Sequence, residues 1–292
     1  MTSKTLVLGA SGFLGSYFRH LVNQPLQQFR SNRELFDNSS VCFNPLNFTE
    51  LNKVINHYKI SSVINCVAVA NIELCEKEPE VACKINTDFP HKLAKYCYNK
   101  GVHLVHVSTD AVLKDSPYSK HERSPIDLKS AYARSKFYGE EAVQGVSPNF
   151  TVARVNFYGS SPKKNSLFDY FYESLVSGKS AIGFYDSIFS PLYVLDAAEV
   201  LKLLADSKTP GLIHLGGSQT LSKYVFGKEV AKTLRVSSRL ITRSSMKQLP
   251  MAQLRSSNLE MDNSKMLEFY TPKYPLSQGI IKSIKKRKSE GI

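Results

Sequence analysis

Several things are scarce in this chain of 292 residues. It has no tryptophan, only five cysteines, and no apolar stretch near the roughly 20 residues a membrane span requires. The N-terminus Met1-Thr2-Ser3-Lys4 runs straight into Leu6-Val7-Leu8, without the separate apolar core or cleavage site of a signal peptide. A cytoplasmic protein without a membrane anchor is therefore expected. The cysteines (Cys42, Cys66, Cys75, Cys83, Cys97) are odd in number and form no Cys-x-x-Cys pair, which argues against a disulfide framework and against a zinc site. They read as reduced thiols, mostly packing residues, and no metal is expected. Acid is short relative to base: 25 Asp and Glu against 38 Lys and Arg give a net charge of +13, which favours an anionic partner without naming it. Part of the excess is local, because Lys282, Lys285, Lys286, Arg287 and Lys288 crowd the C-terminal end, a pattern typical of a solvated helix end or tail. Nucleic-acid binding has only this net charge behind it and is not expected.

What is present is ordinary globular composition, 42% apolar and 22% charged, over a length that suits one large α/β domain with a smaller companion. Thr5 to Leu8 is a short β-prone run that stops at Gly9, and an amphipathic stretch over 13–22 follows at once. Further apolar runs at 63–68, 102–107 and 150–155 alternate with helical patterns at 50–58, 89–99 and 131–143, the second of them stopped by Lys100-Gly101. Near-continuous apolar strands separated by helices predict right-handed crossovers and a doubly wound parallel sheet, the Rossmann arrangement. The alternation fades after 155, so 1–153 plus about 186–216 is expected to form the dinucleotide-binding domain. A smaller substrate-binding region is expected from about 154–185 plus 217–292.

Gly9-Ala10-Ser11-Gly12-Phe13-Leu14-Gly15 is Gly-x-x-Gly-x-x-Gly between the first strand and the first helix. Glycines permit a tight turn and close approach of the backbone to a pyrophosphate, whose charge the helix N-terminus then holds. Glycines also serve plain strand-to-helix turns, but the element order favours the dinucleotide. The second strand should end near Phe29, where an acid would take the adenosine ribose and an arginine its 2′-phosphate. Arg30, Ser31, Asn32 and Arg33 stand there, which points to NADPH over NADH, although these residues equally fit a surface loop. Asn44, in Asn44-Pro45-Leu46-Asn47, is placed near the adenine or in a plain turn. Ala68, Val69, Ala70 and Ser108, at later strand ends, complete the expected cofactor site.

Ser108-Thr109-Asp110 follows a buried strand at the carboxyl edge, where open α/β sheets bind ligands. Tyr132 and Lys136 are four apart at the start of a helix, hence on one face. Reducing a ketone takes a hydride on carbon and a proton on oxygen. Tyr132 can give the proton, Lys136 is expected to lower its phenol pKa, and Thr109 can hold the carbonyl oxygen. Alone, Tyr-x-x-x-Lys is an ordinary helix face; with the glycine turn upstream and Ser-Thr-Asp before it, the set is specific.

At this point the sequence resembles the extended short-chain dehydrogenase/reductases and, among them, the dTDP-4-dehydrorhamnose reductase family, over nearly the whole chain. The resemblance is carried by Asn65 with the later Glu76-Lys77-Glu78-Pro79, by Asn86, by His106 to Asp110, and by Tyr132 to Glu140. Asp186 with Ser190-Pro191 and the run from Arg255 to Lys265 extend it. It implies NAD(P)H-dependent reduction of the 4-keto group of a dTDP-linked 6-deoxyhexulose, with Thr109, Tyr132 and Lys136 catalytic. Asp110, Asn156, Asp186, Arg255 and Asn258 are then expected to bind the nucleotide-sugar. Departures cluster around the sugar: Ala111 stands for an aromatic, Ser187, Phe189 and Leu192 for Gln, Gly and Thr, and Ser256 for proline. The identity of nucleotide and hexose stays open, as does a homodimer. Two rival readings are a non-catalytic NADP-binding regulatory subunit, resembling that of methionine adenosyltransferase, and a nucleotide-sugar epimerase/reductase, which would want a cysteine where Asp110 stands.

Overall fold

The first strand, β1 (Thr5–Leu8), is apolar at three of four positions and wholly buried, and it ends where Gly9 takes φ +83°. A computed structural model of the chain describes residues 4–30 and 39–289. In it β1 lies inside a seven-stranded sheet with β2 (Leu26–Phe29), β3 (Ser40–Cys42), β4 (Ser62–Asn65), β5 (His103–Thr109), β6 (Thr151–Val155) and the strand Gly211–Leu215. The order runs Gly211–Leu215, β6, β5, β4, β1, β2, β3, with parallel registers Leu8↔Asn65↔His106 and Thr109↔Val155. This is the doubly wound sheet expected, its chain reversing direction of growth beside β1.

Helices cover the sheet because their apolar stripes need it. Those named below are α1 (Phe48–Tyr58), α2 (Ile72–Lys77), α3 (Pro79–Cys83), α4 (Phe89–Lys100) and α5 (Ala131–Val146). Leu51 and Ile55 of α1, Leu93 and Cys97 of α4 and Val143 of α5 join Leu6, Leu8, Val63, Leu104 and Val152 in one buried cluster. Each such aliphatic side chain contributes roughly 1.5–3 kcal/mol on burial. Asn47 caps α1 through Thr49 N and Glu50 N, and Gly101, left-handed at φ +65°, stops α4 where the sequence predicts.

Two stretches depart from expectation. The helix predicted over 13–22 is a 3₁₀ helix of six residues, Gly15–His20, which enters without a side-chain cap. Leu21 is already extended, Val22 is fully exposed, and Pro25 disfavours helical backbone before it. Between α3 and α4 the backbone widens into a π-helical turn, Lys84–Asp88, that periodicity does not signal.

Contacts divide the chain into two compact units, one of Met1–Val112, Ser130–Val155 and Ala197–Ile213, the other of Leu113–Lys129, Asn156–Asp196 and His214–Ile292. The loop 113–129 groups with the second unit because Asp115 accepts from the backbone N–H of Ser257 and Asn258, and Lys120 N donates to Glu260 O. Short strand pairs build that unit: Ala181–Phe184 beside Ile241–Ser244, and Ile188–Phe189 between Leu221–Ser222 and Asn258–Leu259. The basic C-terminal end is a helix, Leu276–Ser289, with Lys282, Lys285 and Lys288 exposed and Arg287 buried against Asp169 and Glu173. All five cysteines are free, and Cys75 and Cys97 are the buried ones. Among the described residues no helix is long and apolar enough to cross a membrane.

Candidate active site

The ends of β1, β4 and β5 fall in line, so the turn after β1, the loop after β4 and Thr109 share the carboxyl edge of the sheet. Gly9 N donates to Gln28 Oε1 at 3.0 Å, Ala10 N to Gln28 O at 3.1 Å and Gly12 N to Gly9 O at 3.0 Å, which pins the turn to β2. A Cβ on Gly15 would stand 2.2 Å from Gly9 O, so the first helical turn seats against the glycine turn only because no side chain intervenes. Ser11 and Phe13 are half-buried; Leu14 is in the core and offers the edge only its backbone. Arg30 follows β2 directly and is exposed, while Ser31 lies outside the described residues. Asn44 accepts from Leu46 N and Asn47 caps α1, so both side-chain oxygens serve the local turn. Across the edge, Ala68 and Ala70 are exposed and Val69 is clamped at both backbone atoms by the Asn86 amide, each bond 2.9 Å.

Tyr132 begins α5, whose N-cap Ser130 accepts from Ala133 N, and it packs on the small cluster of Cys75, Ala82 and Ala131. Thr109 stands next to the Tyr132 hydroxyl and favours its ionised form, and Thr109 donates to Asp110 Oδ1 at 3.1 Å. One turn along α5, Lys136 is 2% exposed and donates to Val107 O at 2.7 Å. The three residues singled out by sequence are thus brought together. Their electrostatics differ from expectation. Burial pushes the Tyr132 phenol up to about 12; Thr109 opposes this, and Asp110 and Cys75 add to it. Burial likewise pulls the Lys136 ammonium down to about 8, with Glu140 and Cys66 opposing. The expected lowering of the tyrosine by Lys136 is therefore not what this site does, because desolvating a phenolate outweighs its neighbours. The consequence is a phenol fully protonated at neutral pH, the form from which a proton donor must start.

Behind this trio lies a polar layer that sequence reading undervalued. Asn86, aimed by the π-helical turn, also donates to Ser135 Oγ at 3.0 Å, and Thr87 donates to Ser135 O. Gly139 lets α5 approach that turn, since a Cβ there would meet Asn86 O at 2.1 Å. Asn65 and His106 bond at 3.2 Å, and burial holds His106 well below its usual range, hence neutral. Ser108 turns its hydroxyl inward to Glu140 instead of offering it at the edge, and Glu140 is held by Arg154 at 2.7 Å. The signal available in sequence was Glu140 standing eight residues, two turns, after Tyr132.

In the second unit the expected substrate residues are engaged differently. Asp186 accepts from the Ser245 hydroxyl and from Met246 N at 2.7 Å; burial pulls the other way, but these bonds hold its carboxyl below the usual range. Asn258 donates to Ser116 O at 2.8 Å and accepts from Glu260 N at 2.9 Å, bracing the loop that Asp115 and Lys129 also tie. Asn156 pairs through its backbone with Leu215 and Leu192, and Arg255 is half-buried. Asp110, in the first unit, is 6% exposed beside Thr109.

Comparison with known proteins places these features. The family described as the RmlD substrate binding domain matches residues 3–288. A probable low-salt glycan biosynthesis reductase of Haloferax volcanii is 28% identical over 273 residues, covering 88% of this chain and 89% of its own. The dTDP-4-dehydrorhamnose reductase of Mycobacterium tuberculosis is 29% identical over 265 residues, covering 88% and 84%. The β subunit of methionine adenosyltransferase 2 from Pongo abelii is 27% identical over 286 residues, covering 90% and 81%. The solved dTDP-4-dehydrorhamnose reductase of Bacillus anthracis, in complex with NADP, matches in fold with a TM-score of 0.82 at 21% identity, covering 98% of this chain and 100% of that one.

Proposed function

Because the chain belongs to the RmlD substrate binding domain family, we propose that it is an NADPH-dependent reductase of the 4-keto group of a nucleotide-linked 6-deoxyhexulose. The observation that carries this reading is the neighbouring pair Thr109 and Tyr132, with Lys136 on the same helix face as Tyr132, at the carboxyl edge beside the glycine turn.

The residues present fit a dinucleotide. The turn 9–15 leaves no room for a side chain at Gly15, Ala68 and Ala70 are exposed after β4, and Arg30 follows β2 as a cation suited to a 2′-phosphate. When bound, NADPH supplies the hydride that reaches C4 of the sugar. Thr109 holds the ketone oxygen near Tyr132, and the Tyr132 hydroxyl gives that oxygen its proton. Lys136, anchored on Val107 O, keeps a positive charge one turn from the phenolate left behind and thereby favours the transfer. Asp110, Asn156, Asp186, Arg255 and Asn258 remain the residues we assign to the nucleotide-sugar, Arg255 because a guanidinium fork suits a diphosphate.

The test is a panel of dTDP-, UDP-, GDP- and CDP-linked 4-keto-6-deoxy sugars with NADPH and with NADH, following cofactor oxidation and identifying products by NMR. Turnover of at least one sugar, faster with NADPH, is expected. The similarity to a methionine adenosyltransferase β subunit motivates the alternative of a non-catalytic binding subunit. No turnover on any sugar, together with tight binding to a partner enzyme, would establish that alternative.

A further inference from the structure

Glu140 belongs to no step described so far, yet it is 3% exposed and more heavily bonded than any residue of the trio. It is the third member of a single face of α5, after Tyr132 and Lys136 at four-residue intervals. Ser108 of β5 and Arg154 of β6 are direct partners in the sheet register and both reach the Glu140 carboxylate: the serine hydroxyl donates to Oε1, Arg154 Nε to both oxygens at 3.1 and 3.2 Å, and Nη2 to Oε2 at 2.7 Å. Lys136 is anchored on the carbonyl of Val107, the residue next to Ser108. Two adjacent residues of one strand thus fix both the lysine and the carboxylate that follows it by one turn.

A buried ion pair is weak evidence of stability, since a well-packed apolar pair often does as well in its place. Three charged side chains between α5 and the sheet therefore call for another reason. We propose that Glu140 is a positioning residue for proton delivery: locked by Arg154 and Ser108, it supplies the anionic neighbour that keeps Lys136 charged and directed at the carboxyl edge. This rests on the reductase reading above. The groups facing Lys136 are few. Glu140 and Tyr132 share its helix, His106 faces it from β5 and is neutral, Cys66 faces it from the end of β4 with its thiol pushed up to about 12 by burial, and Arg154 sits behind Glu140. Glu140 is the carboxyl group among them, and it opposes the burial that pulls Lys136 down.

The experiment follows the lysine itself. In protein labelled at lysine Cε and Nζ, the Lys136 resonance is assigned by its loss in Lys136→Arg and titrated by NMR in wild type, Glu140→Gln and Glu140→Gln/Arg154→Met. The double variant removes the pair together and avoids stranding a buried arginine. We expect the Lys136 midpoint to fall by about one pH unit or more in both variants, a tenfold shift in its proton affinity. The alkaline limb of kcat should move down with it, while KM for NADPH stays within about twofold. A Lys136 midpoint unchanged in the folded double variant, with wild type turning over sugar normally, overturns the role of Glu140 and leaves the reductase reading intact. A wild type that reduces no sugar, whatever Lys136 does, overturns the reductase reading and with it any part of Glu140 in proton delivery.

Discussion

The two units treat their expected functional residues in opposite ways. In the first, Thr109, Tyr132 and Lys136 converge near the sheet edge, while Asn86 bonds Ser135 and Ser108, Glu140 and Arg154 are bonded to one another behind them. In the second, Asp186 caps the 3₁₀ turn Met246–Gln248 and Asn258 braces 115–116, so these two side chains assigned to the sugar are already committed to internal bonds. The difference teaches that an arrangement set by spacing within one helix and one strand end survives translation into three dimensions. A binding role spread over distant loops competes with what those loops need in order to hold together.

The sharpest break of this comparison is Tyr132→Phe, which should lower turnover roughly 10²–10⁴-fold with NADPH affinity preserved, as read by steady-state kinetics and by cofactor fluorescence titration. Undiminished turnover would remove Tyr132 as proton donor. Next, Gly15→Ala puts a methyl group 2.2 Å from Gly9 O, and the backbone shift it forces should cost ~1–3 kcal/mol in urea unfolding and weaken NADPH binding. Unchanged affinity would separate the turn from the cofactor.

Acid should also tell the units apart. Burial lowers His103 to about 4, so the unfolded state takes up a proton that the folded state refuses as pH falls from 6.5 to 4. Stability of the first unit should drop by roughly 2–3 kcal/mol across that window, with His106 adding in the same direction. In the second unit, Asp115, Asp186 and Asp262 are held below 3.8, and their contribution persists until pH falls below that value. Hydrogen-exchange protection, taken relative to the intrinsic rate at each pH, should therefore fall in the sheet first between pH 7 and 4. The smallest effect belongs to Asn258→Ala, which should lose about 1–2 kcal/mol with loosening of 113–129, and leave KM for NADPH alone. A raised KM for sugar without loss of stability would return Asn258 to a purely ligand-binding role.

Legibility in the sequence follows the same division. The strand Thr5–Leu8, the stop at Gly101 and the helix from Ala131 are read correctly, because a buried parallel strand and a capped amphipathic helix each carry a local pattern. The family resemblance rests on such motifs, and the match across 3–288 bears it out. The π-helical turn is invisible to a period of 3.6, and the inward course of Ser108 depends on Arg154, 46 residues on, which arrives by strand register. The phenol's rise to about 12 was missed for a related reason: spacing reveals that Lys136 is near Tyr132 but not how dry the place is. The loop 113–129 reads as part of the first domain, yet it is claimed by bonds to 257–260.

The inward arginine of the last helix bears on how the second unit comes apart. Asp169, fully buried, receives Ser161 N and Ser166 N and has Arg287 Nε at 3.5 Å, so the chain's last described turn supplies the counter-charge for a carboxylate at the root of Leu167–Val176. Opening of that turn leaves a buried anion without this counter-charge, a costly state. Leu276–Ser289 is thereby tied by charge to Leu167–Val176, and the two helices stand or fray together.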